Sequence, residues 1–174
     1  MATLLPDLTC ALCEKGIDPT GAYFRTSGQF LPADDPLARY CDAPMHWACY
    51  EAWSERPRFA RAYVDAWVVA NRKNPFWWMV HRDEQVYLSV NPQPPVEEAS
   101  VRLSAVGSDI RVPLPKWTAW LADPEAVTPT LQPVETVALT EVLPVLRERY
   151  ADDHAVVHAI DVDEKRPRAR RKGG

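Results

Sequence analysis

Apolar residues recur every three or four positions at Phe59, Tyr63, Ala66, Trp67 and Ala70, while Arg58, Arg61, Asp65, Arg72 and Lys73 fall mostly elsewhere. That period predicts a helix with one buried face, opened by Pro57 and ended by Asn74-Pro75. The runs Phe76 to His81 and Val86 to Val90 flank Asp83-Glu84 and predict a β-hairpin. Val101-Arg102-Leu103-Ser104-Ala105 and Ile110-Arg111-Val112-Pro113-Leu114 alternate apolar and polar positions around Gly107-Ser108, which predicts a second hairpin. Pro115 opens a short helix carrying Trp117, Trp120 and Leu121. A longer helix from Val134 to Tyr150 places Leu139, Val142, Leu143, Leu146 and Tyr150 on one face, and Pro144 is expected to kink it or to set its start near Thr140. Adjacent strand residues point to opposite faces, so either Trp77 or Trp78 is expected to face outward. Burial of both requires the N-terminal module to cover one side of the sheet and the C-terminal helix the other. An exposed tryptophan there would serve a partner.

The first fifty residues follow a different logic. Cys10-x2-Cys13 is answered about thirty residues later by Cys41-x4-His46-x2-Cys49, and these include all four cysteines of the chain. Zn²⁺ takes thiolate and imidazole ligands tetrahedrally, and two short-range pairs joined by a longer loop can supply them without straining the backbone. Lys15-Gly16 and Asp18-Pro19-Thr20-Gly21 are turn signals, after which Tyr23-Phe24 reads as a strand. Leu31 to Pro36 reads as loop and Leu37 to Cys41 as a further strand. Asp42 then caps a helix with Pro44 in its first turn, running through His46, Cys49 and Trp53. On that helix His46 and Cys49 are three apart and share a face. The expected ligand set is Cys10, Cys13, His46 and Cys49. Cys41 in place of His46 is an alternative, and buried free cysteines holding no metal are another.

Cys10-Ala11-Leu12-Cys13 and His46-Trp47-Ala48-Cys49 resemble the ligand pairs of treble-clef zinc fingers, including the first half of LIM-type domains, over about residues 8–55. The resemblance implies a structural zinc holding together a knuckle, a hairpin and a helix. A RING finger, or a whole LIM domain, carries a second zinc site whose ligands are missing from this chain.

Composition changes this picture little. Hydrophobic residues make up 47% and charged residues 25% of 174 positions, so a core is attainable and global disorder is not expected. No apolar run is long enough to cross a bilayer, and the start Met1 to Asp7 has no basic segment; no membrane partner is expected. A cytoplasmic location, where thiols stay reduced, is the expectation. Charge adds one feature: Lys165 to Lys172 hold six basic residues and no acidic ones, leaving 14 basic against 24 acidic groups before them. The acidic body disfavours broad nucleic-acid contact. Arg168, Arg170 and Arg171 in the basic tail are candidates for contacting phosphates or an anionic partner, although such a tail is more simply a solvated terminus.

Other chemistry is poorly supported. Three thiolates and a histidine saturate a zinc ion, whereas a catalytic zinc keeps a position for water. Zinc deaminases place a glutamate two residues after the histidine; here Ala48 stands there. His81-Arg82-Asp83 is a strand end and turn rather than a kinase catalytic loop, and His154-x3-His158 lacks a companion carboxylate motif. No Walker loop, dinucleotide fingerprint or Gly-x-Ser-x-Gly occurs. The expectation is an α+β protein with a treble-clef zinc module (1–55), an α+β body of a small antiparallel sheet with two to three helices (56–160) and a basic tail (161–174). Its expected role is a non-enzymatic protein-interaction adaptor or regulatory subunit holding Zn. The alternatives are nucleic-acid binding through the tail and a small zinc hydrolase.

Overall fold

A computed structural model describes residues 8–72 and 74–163, and the chain is an α+β protein built on antiparallel sheets. Strand β1 (Leu8–Thr9) pairs with β2 (Gly16–Ile17), and between them the chain reverses through Cys10 to Lys15. The Cys10 amide donates to the Lys15 carbonyl and the Glu14 amide to the Cys10 carbonyl, both at 2.9 Å. Glu14 completes the turn with a left-handed φ of 59°. Strand β3 (Tyr23–Phe24) pairs with β4 (Met45–His46), which leads directly into helix α1 (Trp47–Ala52) and then α2 (Arg56–Asn71).

Two local expectations in this region are corrected. Residues 37–41 are no strand: Ala38–Tyr40 form a 3-10 turn. Asp35 causes it, because its carboxylate accepts the Leu37 amide at 2.8 Å and its carbonyl the Ala38 amide at 2.9 Å, a side-chain turn that competes with extended backbone. Nor does Asp42 cap a helix. It sits at φ 56°, its amide donating to Thr26 Oγ1 at 2.8 Å and its carboxylate accepting from Arg25 Nε at 3.0 Å. The helix begins after His46, whose extended backbone (φ −60°, ψ 139°) makes it the N-cap, and it ends at Ala52, one residue short of Trp53. Pairing of Tyr23 with His46 is what holds this residue extended.

The main sheet runs β5 (Trp78–Arg82), β6 (Val86–Asn91), β7 (Glu98–Leu103), β8 (Asp109–Pro113), each antiparallel to its neighbour, so both predicted hairpins are present. Strand β5 starts at Trp78, later than expected, because the Asn74 side chain accepts the Phe76 amide and turns the chain there. Helices α3 (Trp117–Ala122), α4 (Pro124–Val127), α5 (Pro133–Arg149) and α6 (Asp153–Asp163) follow. Pro144 neither starts nor ends α5. It removes one backbone bond, yet Leu139, Val142, Leu143 and Leu146 are buried on both sides of it, and their packing outweighs a proline cost of about 3 kcal/mol.

The two faces of this sheet differ in chemistry. Val86, Leu88, Val90, Ala99, Val101, Leu103, Ile110 and Val112 are buried with Trp117, Trp120 and the apolar stripe of α5. Tyr150 ties them together: its carbonyl accepts from Trp117 Nε1 at 2.7 Å and its hydroxyl donates to the Val80 carbonyl at 3.0 Å. The opposite face carries Tyr87, Ser89, Ser100 and Arg102, in register with one another and with Asp109 and Arg111. This polar face is covered as well, Trp67 of α2 lying 5.4 Å from the Tyr87 ring and 4.0 Å from the Arg102 guanidinium. The aromatic run Phe24, Tyr50, Phe59, Tyr63 carries the core from the first fifty residues into α2, with Phe24 and Tyr50 stacked at 3.6 Å and Phe59 and Tyr63 at 5.9 Å.

Candidate metal centre

Three parts of the fold bring the four ligands together. Cys10 and Cys13 come from the turn between β1 and β2, His46 from the end of β4, and Cys49 from the first turn of α1. Each offers one ligand atom, and the four atoms lie within 4.8 Å of one another, a group able to hold a metal ion. His46 Nδ1 is 3.5 Å from Cys13 Sγ and 3.8 Å from Cys49 Sγ. In a tetrahedron with metal–sulfur bonds of about 2.3 Å the ligand edges are about 3.8 Å long. The donor set therefore needs only a slight contraction to close around an ion of that size.

The histidine is oriented for the purpose. Its Nε2 lies 3.1 Å from the Gly16 carbonyl, which can only accept, so the proton sits on Nε2 and Nδ1 keeps its lone pair. Gly16 belongs to the same hairpin as the Cys10-x2-Cys13 turn, so the imidazole is steered by the element that supplies the facing thiols. The His46 amide in turn donates to Cys10 Sγ at 3.4 Å.

The thiols are unequal. Burial would raise Cys10, but backbone donation from His46, Cys13 and Leu12 outweighs it and holds the thiol at about 6. Cys49 is pushed up to about 11, first by burial and then by its hydrogen bonds to, and the negative charge of, Cys13 and Cys10. One thiolate in this cluster opposes the next, and a divalent cation relieves that opposition.

The remaining candidates separate clearly. Cys41 is buried apart from the group, its carbonyl accepting from Gln29 Nε2 at 2.8 Å. His154 and His158 share one face of α6 with rings 5.8 Å apart, and they belong to no group of three or more such ligands among the described residues. His81 Nε2 donates to Asp83 Oδ2 at 2.8 Å in the β5–β6 turn. Neither Trp77 nor Trp78 faces fully outward: Trp78 packs against the core and Trp77 lies under the Arg111 guanidinium at 4.3 Å. Exposure falls instead on their neighbours Phe76 (56%), Met79 (40%) and Val69 of α2 (73%). Trp77, Met79 and Val69 line a common depression of about 140 Å³. Arg168, Arg170 and Arg171 lie outside the described residues.

Sequence reasoning missed Arg102. Alternation in Val101-Arg102-Leu103 distinguishes two faces of a strand but says nothing of whether the polar face is covered, and the available signal was the pairing of Ser100 and Arg102 with an Asp109-x-Arg111 strand. No described helix is long and apolar enough to cross a membrane. Comparison with protein-family models, with curated proteins and with solved structures finds no match for this chain.

Proposed function

We propose that this protein is a non-enzymatic interaction adaptor or regulatory subunit whose N-terminal 55 residues form a treble-clef finger closed by one structural zinc. The observation that carries the reading is the Cys10, Cys13, His46, Cys49 group itself: four protein ligands satisfy tetrahedral zinc and leave no position for a reacting water. Three thiolates also lower the Lewis acidity that hydrolysis needs. The order of a cysteine turn, a β-hairpin and a helix, with ligands from the turn and the helix start, supports the treble-clef assignment. Thiolate ligands require reduced cysteines, which the cytoplasm maintains, and we place the protein there.

The partner is another protein, and the surface it uses is the exposed apolar pair Val69 and Met79 beside Trp77. Clustered apolar exposure of this kind, with an arginine stacked on a central tryptophan, has the composition of an interface core. The test is affinity capture from the protein's own cells with the wild-type chain and with Met79→Asp, a change at a site open to solvent. A stoichiometric partner retained by the wild type and lost from the variant supports the reading; identical captures from both remove the surface from it.

A further inference from the structure

Two of the four histidines of this chain are committed elsewhere, His46 to the Gly16 carbonyl and His81 to the Asp83 carboxylate. The other two, His154 and His158, stand on α6. That helix is fixed at its start and along one side. Asp152 caps it, its carboxylate accepting the Ala155 amide at 2.6 Å, and Val156 is fully buried where α6 packs on β5. Each histidine is two positions from Val156, and at about 100° per residue both fall on the far side of the helix from it. Both are exposed there. The buried valine therefore sets the rotation of α6 and presents the two imidazoles to solvent side by side, their ring centres 5.8 Å apart. Apart from each other, neither ring has a hydrogen-bond or ion-pair partner among the described residues.

A neutral imidazole has one nitrogen lone pair to give, and two imidazoles four residues apart on one helical face can give both to the same ion. With metal–nitrogen bonds of about 2.0 Å, the ring centres of such a pair can stand no farther apart than about 6 Å. The observed 5.8 Å is within that reach, and solvent-exposed side chains rotate freely enough to close the rest. Nitrogen ligands select the ion: imidazole suits copper, nickel and zinc, whereas magnesium and calcium take oxygen. No lysine or arginine lies between Asp152 and Glu164 to repel a cation, and Asp161 comes three residues after His158 on the same helical stripe. The residue after His154 is Ala155, where helical zinc proteases carry the glutamate that serves as base, so the pair is built to bind and not to hydrolyse.

We propose that His154 and His158 chelate one divalent transition-metal cation at the surface of α6, at a site separate from the cysteine-bearing centre. The experiment is isothermal titration calorimetry of the full chain, supplied with one equivalent of zinc, using Ni²⁺ and, in parallel, Mg²⁺. Nickel is the probe because Cu²⁺ oxidises cysteine thiols. The wild type is expected to take up one Ni²⁺ per chain saturably and no Mg²⁺. His154→Gln and His158→Gln replace exposed side chains with a good helix former, so both variants should fold. Each should weaken Ni²⁺ binding roughly tenfold or more, because the second imidazole of a chelate acts at high effective concentration. The double variant should bind little worse than either single one. No saturable Ni²⁺ binding by the wild type, unchanged Ni²⁺ affinity in either single variant, or Mg²⁺ bound as tightly as Ni²⁺ would each overturn the proposal. None of these variants touches Cys10, Cys13, His46 or Cys49, so its failure leaves the zinc reading of that centre standing.

Discussion

The hydroxyl of Tyr50 donates to the backbone carbonyl of Val106 across 2.5 Å, and in doing so joins the helix that carries Cys49 to the turn between β7 and β8. Tyr50 is fully buried, stacked on Phe24 and three residues beyond Trp47, so the segment carrying the candidate ligands and the main sheet share one aromatic anchor. Tyr50→Phe keeps the ring and leaves the Val106 carbonyl without this donor. The variant should lose about 1–2 kcal/mol of stability, the cost of orphaning a buried acceptor, read as a lower urea midpoint with an unchanged slope. An unchanged midpoint would mean that packing alone joins the two parts.

Two positions with left-handed backbone make opposite predictions. Glu14, exposed at φ 59° between the cysteine turn and β2, has a side chain where glycine would be easier, so Glu14→Gly should stabilise the protein by about 1 kcal/mol. Gly107 at φ 77° has the reverse constraint, since a Cβ there would lie 3.2 Å from Ala60 Cα and 3.3 Å from Ala60 Cβ. Gly107→Ala should cost about 1–2 kcal/mol or more. Thermal unfolding of the two variants beside the wild type checks both signs at once.

Acid should act through Asp83. Burial would raise its carboxyl, but donation from His81 and from the amides of Val86 and Gln85 outweighs this and holds it below the usual carboxylate value. A depressed folded-state pKa gives stability that is fully present above the unfolded value of about 3.9 and is lost as pH falls through the folded one. Between pH 7 and pH 3 the wild type is therefore expected to lose more of its urea resistance than Asp83→Asn does. Parallel losses in the two proteins would show that the β5–β6 turn carries none of the acid sensitivity.

The elements legible in the sequence were those whose pattern is local. Phe59, Tyr63 and Trp67 repeat at helical spacing and do form the buried face of α2; the alternating strands around Val101 and Val112 do pair, Val101 with Ile110 and Ala99 with Val112. Cys10 and Cys13 were readable as a pair because two residues between ligands fix a turn. What was not legible depends on distant partners. His46 ends a strand, rather than lying within a helix, only because Tyr23 pairs with it, and nothing near His46 announces a two-residue strand formed 23 positions away. Pro144 stands inside α5 because a buried stripe on both sides holds the helix together. Alternation around Arg102 sets it on the polar face of its strand, and Trp67 of α2, above the guanidinium, covers that face.

The proposed zinc is held by Cys10, Cys13, His46 and Cys49 and not by Cys41. Zinc per chain, determined by elemental analysis of freshly purified wild type and of Cys13→Ser, Cys49→Ser, His46→Gln and Cys41→Ser, tests it most directly. One zinc in the wild type and in Cys41→Ser is predicted, with metal lost from the other three and their N-terminal module unfolded, since structural zinc contributes roughly 10 kcal/mol or more to folding. A wild-type protein without zinc, or metal lost equally from Cys41→Ser and the ligand variants, would contradict it.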